Sequence, residues 1–265
     1  MTPTAEVYKS EWLNESVAMK VVTHSVHQGQ DEDPERRKKA FLRELVLWRQ
    51  LRHRHILPLL AMHSWPMGTS RHLRFCMVSP WAANGTLRAY LESYKPQPND
   101  RVRIIVSIAD ALSYLHAHEP QLVHGDLHIG NVVVDSNHQP LITDFGLSQF
   151  YGSFTTSQIS GDKCAMVWRA PELWESQTFE PRSSSDMYAF AFLCYEVLSG
   201  RRPWSNKTVF KVHSMVISGE RPPRSRSISD DLWQIIRACW RPDHAERMPA
   251  IEAWDRLRAL QAVAY

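Results

Sequence analysis

Lys20, Asp126, Asn131, Asp144 and Glu172 lie in four short strings that follow one order along the chain. These are Val17-Ala18-Met19-Lys20, His124-Gly125-Asp126 with Asn131 five residues past the aspartate, Asp144-Phe145-Gly146, and Ala170-Pro171-Glu172. An ammonium, three carboxylates and a primary amide are groups that can hold a polyanion and a hard cation and can take up a proton. Singly, each has a plainer reading, since a lone lysine is usually solvated and an isolated Asp-Phe-Gly is usually a turn. The ordered set is what asks for a common site.

The elements that must position these residues change character along the chain. Glu6 to Val22 alternates and favours β-formers, which predicts two strands joined around Leu13 to Glu15. Phe41, Leu42, Leu45, Trp48 and Leu51 recur at helical spacing within 32–54, after the helix-starting Asp31, Asp33 and Pro34. Apolar residues at 57, 59 and 60, then Leu73 to Trp81, predict two further strands around a turn at Pro66 to Ser70. Beyond Asn84-Gly85 helical periods dominate, near 86–94, 99–118, 184–199, 205–218, 229–240 and 248–262. Short β-like runs interrupt them at Val132 to Val134 and Leu141 to Thr143, and Gly146 to Ser160 has no helical period. The shift near residue 82 is the one candidate boundary.

At 265 residues, with 43% apolar and 22% charged residues, the composition is globular and excludes collagen-like, coiled-coil and disordered classes. The net charge of +3 implies neither a nucleic-acid nor a membrane field. Cys76, Cys164, Cys194 and Cys239 are far apart, as reduced thiols of a cytoplasmic protein would be, and no segment reads as a signal peptide or a membrane span. Arg36 to Lys39 and Arg52 to His55 read as solvated charge, and the dispersed histidines complete no zinc set.

The four strings together resemble the signature set of eukaryotic protein kinases, over essentially the whole chain, and within that family the tyrosine-kinase-like group. The resemblance implies an α+β, two-lobed fold: a β-rich lobe with one long helix at about 1–82, a hinge at about 80–84, and a helical lobe at 83–265. It implies ATP and Mg²⁺ in the cleft and a protein substrate. Lys20 would pair with the α and β phosphates, oriented by Glu44, which shares a helical face with Phe41 and Trp48. Asp126 would be the base or orienter for the acceptor hydroxyl, and Asn131 and Asp144, thirteen residues apart, would hold the metal. Adenine would meet Ser79, Trp81 and Ala82 at the hinge, between walls that include Val7, Ala18 and Val133. Glu172 would brace Arg247, and Asp186 would either hold the backbone of the catalytic loop or cap its own helix.

Four departures from the family stand out. No glycine precedes Gly29, so the glycine-rich phosphate loop expected before Lys20 is missing from these residues. Each backbone N–H lost to a charged phosphate costs roughly 1.5 to 3 kcal/mol, which weakens ATP binding without abolishing it. Gly125 replaces an arginine that reads loop phosphate, so activity should not depend on phosphorylation of Ser153, Thr155, Thr156, Ser157 or Ser160. His128 replaces the lysine, and Ala165 the threonine, of serine/threonine kinases. The expected function is phosphoryl transfer to protein hydroxyls, Ser/Thr before Tyr, without nucleic acid or membrane insertion and with no oligomeric state assigned. The alternative is a pseudokinase that keeps the fold as a binding or scaffolding module.

Overall fold

A computed structural model describes residues 4–24, 42, 45–66, 73–144, 149–150, 168–175 and 180–263. Its first strands, β1 (Thr4–Trp12) and β2 (Glu15–His24), form a hairpin whose two-residue loop, Leu13-Asn14, has φ of 52° and 64°. Two positive φ values in a two-residue loop match the right-handed twist of the flanking strands, but they suit Asn and Gly better than Leu. Leu13 is 80% exposed and gains no burial in return. Leu13→Asn is therefore expected to stabilise the fold by about 0.5–1 kcal/mol in urea denaturation; no gain would show that the loop can relax.

β3 (Ala61–Pro66) and β4 (Leu73–Pro80) complete an antiparallel sheet in the order β1-β2-β4-β3. The sequence pattern put the third strand at 57–60, but that stretch runs before it. Pro58 has no N–H to donate to a ladder, Leu57 N bonds Ile142 O at 2.9 Å, and Leu60 N bonds Val78 O at 2.8 Å. The helix expected over 32–54 is described at residues 42 and 45–50 (α1), and the chain leaves it before Leu51.

The helical part contains α2 (Leu87–Ser93), α3 (Pro98–His116), the four-residue α4 (Glu172–Glu175), α5 (Ser183–Ser199), α6 (Val209–Ile217), α7 (Asp230–Cys239) and α8 (Ala250–Val263). Their starts carry the expected chemistry: Thr86, Thr208 and Ser229 each accept a backbone N–H from the first turn, and Pro98 opens α3. α5 is apolar around its circumference, with Tyr188, Phe190, Phe192, Leu193 and Val197 at 0% exposure, so it is the axis of the core. α3 packs on both α5 and α8. Among the described residues no helix is long and apolar enough to cross a membrane.

The expected α+β, two-lobed architecture is thus present, and three links tie its halves. After the short β5 (Leu122–Val123), β6 (Val132–Val134) pairs with β7 (Pro140–Ile142), whose Ile142 is bridged by Ile56. Arg54 donates two bonds to Asp110 of α3, at 2.6 and 3.0 Å, while the His53 ring stacks on Tyr114 at 5.0 Å. His55 is 6% exposed, with Nδ1 3.2 Å from Pro140 O. His53 to His55 thus link the halves, while Arg52 and Arg54 remain exposed, as their charge suggests. Arg36 to Lys39 lie outside the described residues.

Candidate active site

Strand register gathers the first group of residues. Lys20 lies opposite Val7 on β1 and Met77 on β4, and Ala18 opposite Lys9 and Ser79. Directly opposed and alternate residues share a face, so Val7, Ala18, Lys20 and Ser79 line one side of the sheet. Ser79 is buried at 6% exposure, whereas Val7 is 59% exposed. Past β4, Trp81 N donates to Ser16 O at 3.0 Å, with Lys9 Nζ 5.3 Å from the Trp81 ring. Ala82 O accepts from Gly85 N, Gly85 O from Val134 N, and Val134 O from Asn84 N, which stitches the segment after the hinge to the strand that carries Val133.

Backbone bonds also hold the second group. Asp186, 1% exposed near the start of α5, accepts His124 N at 2.8 Å and Gly125 N at 2.9 Å, and His116 Nε2 lies 2.9 Å from its Oδ2. At the start of the helix Ser185 Oγ accepts Arg182 N at 3.2 Å, and both carboxylate oxygens of Asp186 are taken by the loop. Gly125 has φ of 78°, a left-handed backbone that glycine adopts without cost. His124 is fully buried: Asp126 N donates to its Nδ1 at 3.2 Å, and its Nε2 is 3.0 Å from Thr143 O. Both ring nitrogens are thus engaged, which ties the loop to the strand end that precedes Asp144.

The loop closes on itself through Asn131, whose Nδ2 donates to Asp126 O at 2.9 Å and to Asp126 Oδ2 at 3.3 Å. Thr143 N donates to Asn131 O at 3.0 Å, bringing Asn131 beside the Asp144 segment. Asp144 itself has φ of 65° and pairs with the Lys20 ammonium. Lys20, Asp126, Asn131 and Asp144, drawn from separate segments, therefore meet in one place. Burial, and then the Asp144 carboxylate, push the Asp126 carboxyl up to about 6, against the opposing pull of His124, Asn131 and Arg169. Glu44, Phe145, Gly146 and the five loop hydroxyls lie outside the described residues.

Below the site, Arg247 Nη1 and Nη2 each donate to a Glu172 oxygen at 2.7 Å, and Ser185 Oγ donates to Glu172 Oε1 at 2.8 Å. Sequence reasoning missed the parts played by His116 and His124. They are visible only as the histidines of Leu115-His116 and His124-Gly125-Asp126, and nothing local gives them partners 19 to 70 residues away.

A family model described as protein tyrosine and serine/threonine kinase matches residues 3–256. The chain is 28% identical over 259 residues to the serine/threonine-protein kinase CTR1 of Arabidopsis thaliana, covering 96% of this chain and 30% of that protein. It is 27% identical over 267 residues to human mitogen-activated protein kinase kinase kinase 11, covering 97% and 30%. It is 29% identical over 211 residues to human ephrin type-A receptor 1, covering 78% and 21%. The chain thus spans less than a third of the length of these relatives. With the motif residues converging as described, the chain belongs to the protein kinase family.

Proposed function

We propose that the chain transfers the γ-phosphoryl group of ATP to hydroxyls of a protein substrate, Ser/Thr before Tyr, in the presence of Mg²⁺. The observation that carries this reading is the convergence of Lys20, Asp126, Asn131 and Asp144. Phosphoryl transfer needs positioning and charge neutralisation more than covalent chemistry, and these are the groups for it. Asp144 and Asn131 offer one carboxylate and, with the amide nitrogen committed to Asp126, one amide oxygen. Both are hard donors that fit Mg²⁺. When bound, the metal supplies neutralisation of phosphate charge.

In this reading Asp126 orients the acceptor hydroxyl and takes its proton, and Lys20 holds phosphate as a point charge. Ser79, Trp81, Ala82, Ala18, Val133 and Val7 bound the adenine. The Ser/Thr preference rests on the relatives' names, CTR1 among them. The buried free thiols of Cys76, Cys194 and Cys239 accord with a cytoplasmic setting. The boundary between the lobes falls near residue 82, where β4 has ended and the helices begin.

Nucleotide binding is the first test. Millimolar ATP with Mg²⁺ is expected to raise the melting temperature by several degrees, because a ligand at about ten times its Kd adds roughly 1.4 kcal/mol to the native state. ATP without metal should give little shift, and Lys20→Met should diminish the shift with metal. An unchanged melting temperature at millimolar ATP and metal would contradict the reading.

A further inference from the structure

Among the described residues Phe210 is the most exposed large apolar side chain, at 82%, and it stands on α6, not in a loop. The helix already has an inner side: Val212, Met215 and Val216 are buried, and the His213 ring lies 4.7 Å from that of Trp174 on α4. Phe210, Ser214 and Ile217 recur at i, i+4 and i+7, so they form a second stripe turned away from that side. Ser214 is exposed and Ile217 is 38% exposed. α6 thus presents to solvent an apolar stripe with a small residue at its middle.

The charges that flank this stripe are of opposite sign at its two ends. Lys207 precedes the Thr208 cap and Glu220 follows the last turn, and both are exposed. Lys211, also exposed, adds positive charge to the first end. Among the described residues none of the three forms an ion pair. Backbone bonds fix where the end charges stand, since Lys207 N donates to Trp204 O at 2.9 Å and Glu220 N to Met215 O at 2.8 Å. The Glu220 carboxylate accepts Ser218 Oγ at 3.3 Å, while Arg221 beside it turns inward, its Nε donating to Trp240 O at 3.1 Å.

Phe210 and Ile217 are equally far along the chain from the midpoint between His213 and Ser214, and so are Lys207 and Glu220. A second α6 laid antiparallel across that midpoint therefore sets Phe210 against the partner's Ile217 and Lys207 against the partner's Glu220, and two-fold symmetry repeats both contacts. Ser214 falls near the crossing, where a small side chain lets the helix axes approach to about 8–10 Å.

We infer that α6 is a self-association surface, on which a second copy of this chain docks antiparallel through Phe210 and Ile217 with Lys207 paired to the partner's Glu220. Two nine-residue helices bury less than the roughly 1,200 Å² of a stable complex, so the pair is weak and forms at about 0.1–1 mM. Its formation does not depend on phosphoryl transfer.

Sedimentation velocity from about 10 µM to about 1 mM chain tests this. The wild-type chain should pass from monomer toward dimer over that range, and less so at about 1 M salt, which screens the end charges. Phe210→Ser should raise Kd by at least about tenfold, because a symmetric pair loses the contact twice. Its melting temperature should match that of the wild type, since so exposed a side chain adds little to the fold. Lys207→Glu and Glu220→Lys should each be monomeric alone, and an equal mixture of the two should dimerise, because each then presents the charges that the other needs. Contact through another face does not produce that rescue. A chain that stays monomeric at every concentration would overturn the inference and leave the stripe to a different protein. So would a dimer indifferent to Phe210→Ser, or a mixture of the two charge variants that stays monomeric.

Discussion

Asp126→Asn is expected to lower phosphoryl transfer by about 10²- to 10⁴-fold, the usual worth of a positioned proton acceptor. Asparagine has the shape of aspartate, and the loop around it is fixed by contacts that the substitution leaves in place: Asp186 on His124 N and Gly125 N, and His124 on Asp126 N and Thr143 O. What is lost is the carboxylate that can accept the hydroxyl proton. Lys20 and Asp144, which face the nucleotide in the proposed reading, are untouched, so the thermal shift with ATP and Mg²⁺ should stay close to that of the wild type. The comparison is of kcat against ATP affinity for the two proteins. Equal transfer rates in both would remove Asp126 from the reaction.

Arg247→Met is expected to destabilise the fold by about 3–5 kcal/mol. The Arg247 side chain is fully buried, and all five of its N–H donors are engaged. Nε bonds Arg241 O, Nη1 bonds Glu172 and Ser184 O, and Nη2 bonds Glu172 and Pro242 O. Its removal leaves the Glu172 carboxylate in a largely buried place without its cation. Lysine would not restore the two-point contact.

The pH dependence of this loss has a definite sign. Burial alone would push the Glu172 carboxyl up, but the Arg247 guanidinium holds it below its ordinary 4.5, with help from Ser185. A depressed folded pKa means the stabilisation is present above that ordinary value and fades as the pH falls through the folded one. The difference between wild type and Arg247→Met in urea should therefore be largest near about pH 7 and shrink by about pH 3. A difference that stays constant over this range would assign the effect to packing against Tyr188, whose ring centre lies 5.0 Å from the guanidinium.

Much of this site is legible in the sequence because its residues sit in short strings with fixed internal spacing. Asp126 and Asn131 are five apart, and their contact is made within one loop. Lys20 could be put on a strand because Glu6 to Val22 alternates, and α5 could be seen from its apolar run, broken only by Glu196. What escaped was set by partners distant in the chain. Nothing in the run Arg52 to His55 tells that Asp110 and Pro140, 56 and 85 residues away, bond Arg54 and His55. The strand expected at 57–60 is displaced because β4 and β7 draw Leu60 and Leu57 in different directions, which no local pattern records. Whether Asp186 is cap or anchor is decided by partners 61 to 70 residues away, Gly125 N, His124 N and His116, which take its carboxylate.

The most direct test of the account is transfer of labelled γ-phosphate from ATP to a generic protein substrate by the wild-type chain, with and without Mg²⁺. The account predicts incorporation that requires the metal and falls to background in Asp126→Asn. Labelling that is absent while ATP still raises the melting temperature, or that persists equally in Asp126→Asn, would contradict it and leave a nucleotide-binding module on a kinase fold.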